Sequence, residues 1–184
     1  MVEEILTWSS IFGKFELLQN AIRYRGSTYP ISSVVHLGRY AKRTSVNFIP
    51  MMDFLRIRIY IDKLEKPITI QNSIGLLFTT STLKKIYAQL VEKTFGARIE
   101  AYLNEIRNEG FFEYDKAKFF PSGEVSIGRK KINLHSTKLW IEPFSLILRE
   151  STAIFARKYR ISMDIDRDVF LALLKGLYGI QFDE

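Results

Sequence analysis

Cysteine is absent from the chain, and histidine occurs only at His36 and His135. The first absence removes disulfides, thiolate zinc sites and cysteine nucleophiles. The second leaves little for metal binding, because the two histidines lie far apart in sequence and have no cysteine to join them. No apolar run approaches the roughly 20 residues that a membrane-spanning helix needs. The first residues open acidic, with Glu3 and Glu4, and lack the basic start of a secretory signal. There is no Walker-type phosphate loop, no dinucleotide glycine fingerprint and no Gly-x-Ser-x-Gly elbow. Low-complexity stretches are missing too. These absences imply no cofactor and no metal. They fit a cytoplasmic chain with no transmembrane segment, one that meets a membrane peripherally or through a partner.

What is present is an ordinary globular composition. Of 184 residues, 47% are hydrophobic and 26% charged, within the range of folded domains. A chain of this length hides roughly 70% of its unfolded surface, enough for one domain or two small ones. The formal net charge of +7 favours anionic partners: a lipid surface, nucleic acid or an acidic protein face.

Alternation dominates the hydrophobic pattern. Residues 5–12, 15–19, 21–25 and 28–37 read as strands separated by Gly13, Asn20 and Gly26. Pro30 cannot donate a ladder hydrogen bond, so it belongs at a strand start or an edge. The clearest strand covers residues 54–61. There Leu55, Ile57, Ile59 and Ile61 share one face, and Phe54, Arg56, Arg58 and Tyr60 the other. Residues 68–71 return as its partner, and 74–78 extend the sheet. Helical spacing then takes over: Leu83, Ile86, Tyr87, Leu90, Val91, Phe95, Ile99, Tyr102, Leu103 and Ile106 recur along one long helix. Ser81 or a neighbouring threonine caps it, Gly96 bends or breaks it, and Gly110 ends it.

The second half repeats the plan. Strands are expected at 111–114, 124–128, 131–135, 139–148, 153–156 and 159–165, followed by a helix over 167–178. Asp166 is its expected N-cap and Gly179 its C′ residue. The fold class is therefore α+β: two strand-rich antiparallel units, each closed by a helix. The units cover residues 1–110 and 111–184, as separate domains or around one shared core. Without gaps, Ile22 aligns with Ile132, Tyr24 with Leu134, Tyr29 with Leu139 and Val34 with Phe144. That echo reads either as an internal duplication or as the alternation common to any two hairpins.

The segments Thr28 to Leu37 and Leu139 to Ile147, each following a short strand and a turn in a unit that ends in a helix, resemble the opening hairpin of bacterial pleckstrin-homology-like (PH-like) domains. The resemblance implies an interaction module in which basic loops at the open end of a barrel dock anionic ligands. Candidates for that contact are Arg39, Lys42 and Arg43, read as a loop after a strand. Arg56 and Arg58 alternate along the clearest strand, and Arg129, Lys130 and Lys131 sit at a hairpin. Two other readings stand beside it. The face bearing Phe54, Arg56, Arg58 and Tyr60 could stack and neutralise single-stranded nucleic acid, or it could pack beneath the long helix. An enzyme whose carboxylates converge only in space is the third. Asp164, Asp166 and Asp168 begin like a calcium loop, but Val169 replaces the required glycine and Lys175 the final glutamate. Helix capping accounts for them more simply.

Overall fold

The computed structural model describes residues 6–10, 13–46, 49–72, 80–150 and 157–182, apart from the side chains of residues 10, 43–46 and 49–53. The expected strands over 74–78 and 153–156 lie outside the described residues. The chain forms an α+β fold that divides into two compact units, Met1–Ala97 and Arg98–Glu184.

In the first unit, β1 (Leu6–Ser10), β2 (Gly13–Leu17), β3 (Ala21–Tyr24) and β4 (Ser27–Pro30) form an antiparallel meander in that order. Arg25 and Gly26 both adopt positive φ, 51° and 83°, the geometry of a tight two-residue hairpin turn. A 3-10 turn, Ile31–Ser33, leads into a second sheet of β5 (Val34–Val46), β6 (Ile49–Ile61) and β7 (Ile68–Gln71). Pro30 ends β4, the edge strand of its sheet, where its missing N–H costs no ladder bond. Residues 28–37, read from sequence as one strand, thus divide into β4, the 3-10 turn and the start of β5.

The core of this unit comes from both sheets and from the start of α1 (Thr80–Glu109). Phe15, Leu17 and Ile22 meet Leu37, Leu55, Ile57 and Ile59, with Leu83, Ile86 and Leu90 supplied by the helix. Burying each such side chain is worth roughly 1.5–3 kcal/mol. The helix runs unbroken for 30 residues, about 45 Å, straight through Gly96. The division between the units falls inside it.

The second unit repeats the order. Strands β8 (Phe112–Tyr114), β9 (Ala117–Phe119), β10 (Glu124–Ile127) and β11 (Lys130–Asn133) form a meander. A 3-10 turn, Leu134–Ser136, leads to β12 (Thr137–Glu142), β13 (Ser145–Glu150) and β14 (Lys158–Ser162), and α2 (Arg167–Tyr178) follows. Pro143 and Phe144 turn the expected strand 139–148 into a hairpin that pairs Leu139 with Leu148. The core is aromatic: Phe112 stacks on Phe119, and Tyr114 lies parallel to Phe170 at 3.8 Å between ring centroids.

The element order corrects the alignment of the two halves. Ile22 lies in the third strand of its unit and Ile132 in the fourth of its own. The corresponding segments are Ala21–Tyr24 and Glu124–Ile127, Ser27–Pro30 and Lys130–Asn133, and Ile31–Ser33 and Leu134–Ser136, each pair 103 residues apart. Hydrogen bonds repeat at the same spacing. Ile31 N–H donates to Asn20 O and Leu134 N–H to Gly123 O. Ser33 Oγ donates to Pro30 O, and Ser136 Oγ to Asn133 O. The units diverge in β5 and β6, which have 13 residues each where β12 and β13 have 6.

Candidate functional site

The outward face of the β5–β6–β7 sheet is set by strand alternation. Directly opposed residues share a face. Leu37 opposes Ile59 and Ala41 opposes Leu55, which places these on the core side. His36 opposite Tyr60, Gly38 opposite Arg58, Tyr40 opposite Arg56 and Lys42 opposite Phe54 therefore lie on the other side. On β7, Gln71 opposes Arg56 and Thr69 opposes Arg58. The α1 residues of the core cluster pack with the leucine and isoleucine face, so Phe54, Arg56, Arg58 and Tyr60 are not beneath that helix.

This face combines cations with aromatic rings. Arg56 Nε donates to Gln71 Oε1 at 2.8 Å, and its guanidinium carbon lies 5.3 Å from the Phe54 ring centroid. Tyr40 meets Phe54 edge to face, as His36 meets Tyr60. Arg58 and Lys42 are exposed. The rings thus hold one another and Arg56 in place, while Arg58 and Lys42 extend into solvent. Guanidinium and ammonium groups together suit carboxylate or phosphate oxygens.

The other candidates are distributed differently. Arg39, Lys42 and Arg43 are not in a loop; all three lie within β5, because the strand continues well past Leu37. Arg39 is opposite Ile57 and turns its guanidinium over the Tyr87 ring on α1, 5.3 Å from the centroid. The Arg43 side chain lies outside the described residues. Arg129 occupies the β10–β11 turn, and Lys130 and Lys131 begin β11 in the second unit. Lys131 Nζ is engaged by Glu124 at 2.9 Å. On β3, Arg23 is held by Glu16 at 3.1 Å. The hydrogen bond from Lys14, aided by the charges of Lys14 and Arg23, holds the Glu16 carboxyl below its ordinary pKa.

The aspartate string has a role that capping did not anticipate. Asp166 occupies the N-cap position of α2, yet its side chain caps no backbone N–H. It is fully buried and accepts from Arg98 Nη1 at 2.8 Å and from Tyr102 O–H at 3.3 Å. Asp168 accepts from both terminal nitrogens of the same guanidinium, at 3.1 and 2.6 Å. Asp164 is exposed. Burial opposes the charge on Arg98, but hydrogen bonds and charge from Asp168 and Asp166 outweigh it and leave its pKa above the ordinary value. Sequence reading missed Arg98. Its signal was a cation at a position four residues from both Thr94 and Tyr102, in the buried series Leu83, Ile86, Leu90, Thr94, Arg98, Tyr102.

No cluster of three or more His, Asp or Glu residues suited to a metal occurs among the described residues. No helix among them is long and apolar enough to cross a membrane. Comparison with family models, curated proteins and solved structures finds no match for the chain.

Proposed function

We propose that the protein is a non-enzymatic interaction module of PH-like type that docks an anionic partner protein on the outward face of the β5–β6–β7 sheet. The observation that carries this reading is the alignment of Lys42, Arg56 and Arg58 on one face with Tyr40, Phe54 and Tyr60. Antiparallel strands followed by a closing helix, the order behind the PH-like resemblance, occur in both units. That order, the repeated 103-residue spacing and the shared serine hydrogen bonds support an internal duplication. A cytoplasmic setting is consistent with the absence of cysteine.

Single-stranded nucleic acid is the second reading, favoured by the same cation and ring content. The edge-to-face pairing of Tyr40 with Phe54, and Arg56 over Phe54, leaves less ring surface for bases and tilts the balance to protein. Fluorescence anisotropy at 50 mM salt decides between them, using labelled poly-glutamate and a labelled oligo-uridine. The module reading expects poly-glutamate to bind and the Arg56→Glu/Arg58→Glu variant to lose that binding. Preference for the oligonucleotide selects the second reading, and binding of neither rejects both.

A further inference from the structure

The β12–β13–β14 sheet of the second unit carries three cations in a single row across its strands. Lys138 opposes Arg149, and Arg149 opposes Lys158. Directly opposed residues share a face, and like charges so placed repel one another. All three residues are exposed. The same face bears Glu142, which stands two rows away and is held by Arg160 at 2.7 Å. Glu150 opposes Thr137, on the other face. Residues 151–156, which join β13 to β14, contain no Asp or Glu. The sheet thus gathers positive charge at a cost to its own stability.

An aromatic ring borders the row. Trp140 is half-buried, two residues along β12 from Lys138, and so about 6.6 Å away along the strand. Lys158 Nζ lies 5.5 Å from the centroid of its ring. Adjacent strands stand about 4.8 Å apart, so the three cations span about 10 Å of backbone. A chain of linked phosphoryl groups concentrates negative charge within that span. An extended acidic segment delivers less, because its same-face carboxylates stand about 6.6 Å apart. Arg149 can engage phosphoryl oxygens through two N–H groups, while the lysines on either side add charge.

We propose that this face binds a nucleoside polyphosphate, with the phosphate chain along Lys138, Arg149 and Lys158 and the base stacked on Trp140. Indole rings accept any base by its π-face, so the site selects for phosphate number rather than for base identity. Lys158 links the two halves of the site, leaving the Trp140 ring for the phosphates as the base arrives. The site lies in the second unit and does not draw on the β5–β6–β7 face.

The probe is ATP, titrated into the full chain at 50 mM salt and followed by calorimetry and tryptophan emission. Trp8, the other tryptophan, is buried in the first unit, so a quench that is lost in Trp140→Leu reads Trp140. Tripolyphosphate should bind roughly tenfold more weakly than ATP, having no base to stack. Arg149→Glu sets a carboxylate between two lysines. It should raise the Tm while weakening ATP at least tenfold, a pairing of effects that misfolding cannot produce. Arg149→Lys should keep most of the binding, and Arg56→Glu/Arg58→Glu should bind ATP as the parent does. If ATP does not bind, or binds Arg149→Glu as it binds the parent, the site is rejected. Tripolyphosphate binding as tightly as ATP, with no change in emission, would overturn the stacking of a base. A comparable loss in Arg56→Glu/Arg58→Glu would mean that net charge alone recruits the ligand. Displacement of ATP by an equal charge of poly-glutamate would overturn the preference for phosphate.

Discussion

Arg98 Nη1 donates to Asp166 Oδ1 at 2.8 Å, and neither side chain has any exposed surface. Removing one partner of a buried pair strands the other charge, at a cost of roughly 3–5 kcal/mol. Arg98→Met should therefore be strongly destabilising in urea titrations. Asp166→Asn tolerates the left-handed backbone, φ 47°, and should also destabilise. The double variant should lose less than the sum of the two, because the neutral amide no longer needs the guanidinium. Strict additivity would show that the pair is not coupled.

Tyr178 sets a contrasting case. Its hydroxyl is buried with no hydrogen-bond partner among the described residues. An unsatisfied buried polar group costs about 1–3 kcal/mol. Tyr178→Phe keeps the ring and should leave stability unchanged or raise it by about 1 kcal/mol, read as a higher Tm. A clear loss would show that the hydroxyl is satisfied in solution.

Burial raises the pKa of Tyr102, Tyr114 and Tyr178 above the ordinary 10.0. For Tyr102 the Asp166 charge adds to the effect, and Tyr114 also donates to Ile165 O. Between the unfolded value near 10 and the raised folded values, the folded chain holds more protons than the unfolded one. The contribution is complete below about pH 10 and is lost as pH rises beyond it. Denaturation midpoints should fall above pH 10, and Tyr178→Phe should make that slope shallower. A slope unchanged by the substitution would refute the assignment for Tyr178.

Much of this fold was legible because alternation and helical spacing leave clear marks. The strand with Leu55, Ile57, Ile59 and Ile61 on one face is present with that face buried, and α2 ends at Gly179 in the expected left-handed conformation, φ 66°. Short-range punctuation was harder to read. Neither 3-10 turn has a composition that separates it from strand, so both were merged into neighbours. The β5 strand passes through Arg39 and Lys42, whose charges suggested a loop; Lys42 stands on the open face, while Arg39, opposite Ile57, lays its long side chain over the Tyr87 ring. The outward group of Phe54, Arg56, Arg58 and Tyr60 was readable from period two alone. Its companions Tyr40 and Gln71 required the register. Helical spacing marks Arg98 as a cation on the buried face, but not what it pairs with, because its aspartate partners are about seventy residues away and only the folded chain brings them to it.

Gly96 lies exposed in mid-helix, with nothing within 4 Å of where a Cβ would stand. Glycine there costs backbone entropy, and alanine should add about 0.5–1 kcal/mol of stability. Gly96→Ala should raise the Tm without altering the circular dichroism of the native state. A loss of stability would indicate that the helix needs its freedom at this position.

The outward sheet face offers the sharpest separation of folding from binding. Arg58 is exposed, and Arg56 Nε donates to Gln71 Oε1 at 2.8 Å. Surface substitutions away from caps and cores shift stability by about 0.5 kcal/mol or less. Arg58→Glu should therefore leave urea midpoints nearly unchanged. Its effect on poly-glutamate binding should be large at 50 mM salt and shrink as added salt screens the exposed charges, whose reach falls from about 10 Å at 0.1 M to about 3 Å at 1 M. Lys131→Glu, in the second unit, should leave that binding almost untouched. Equal losses from both substitutions would mean that net charge, rather than this face, recruits the polyanion.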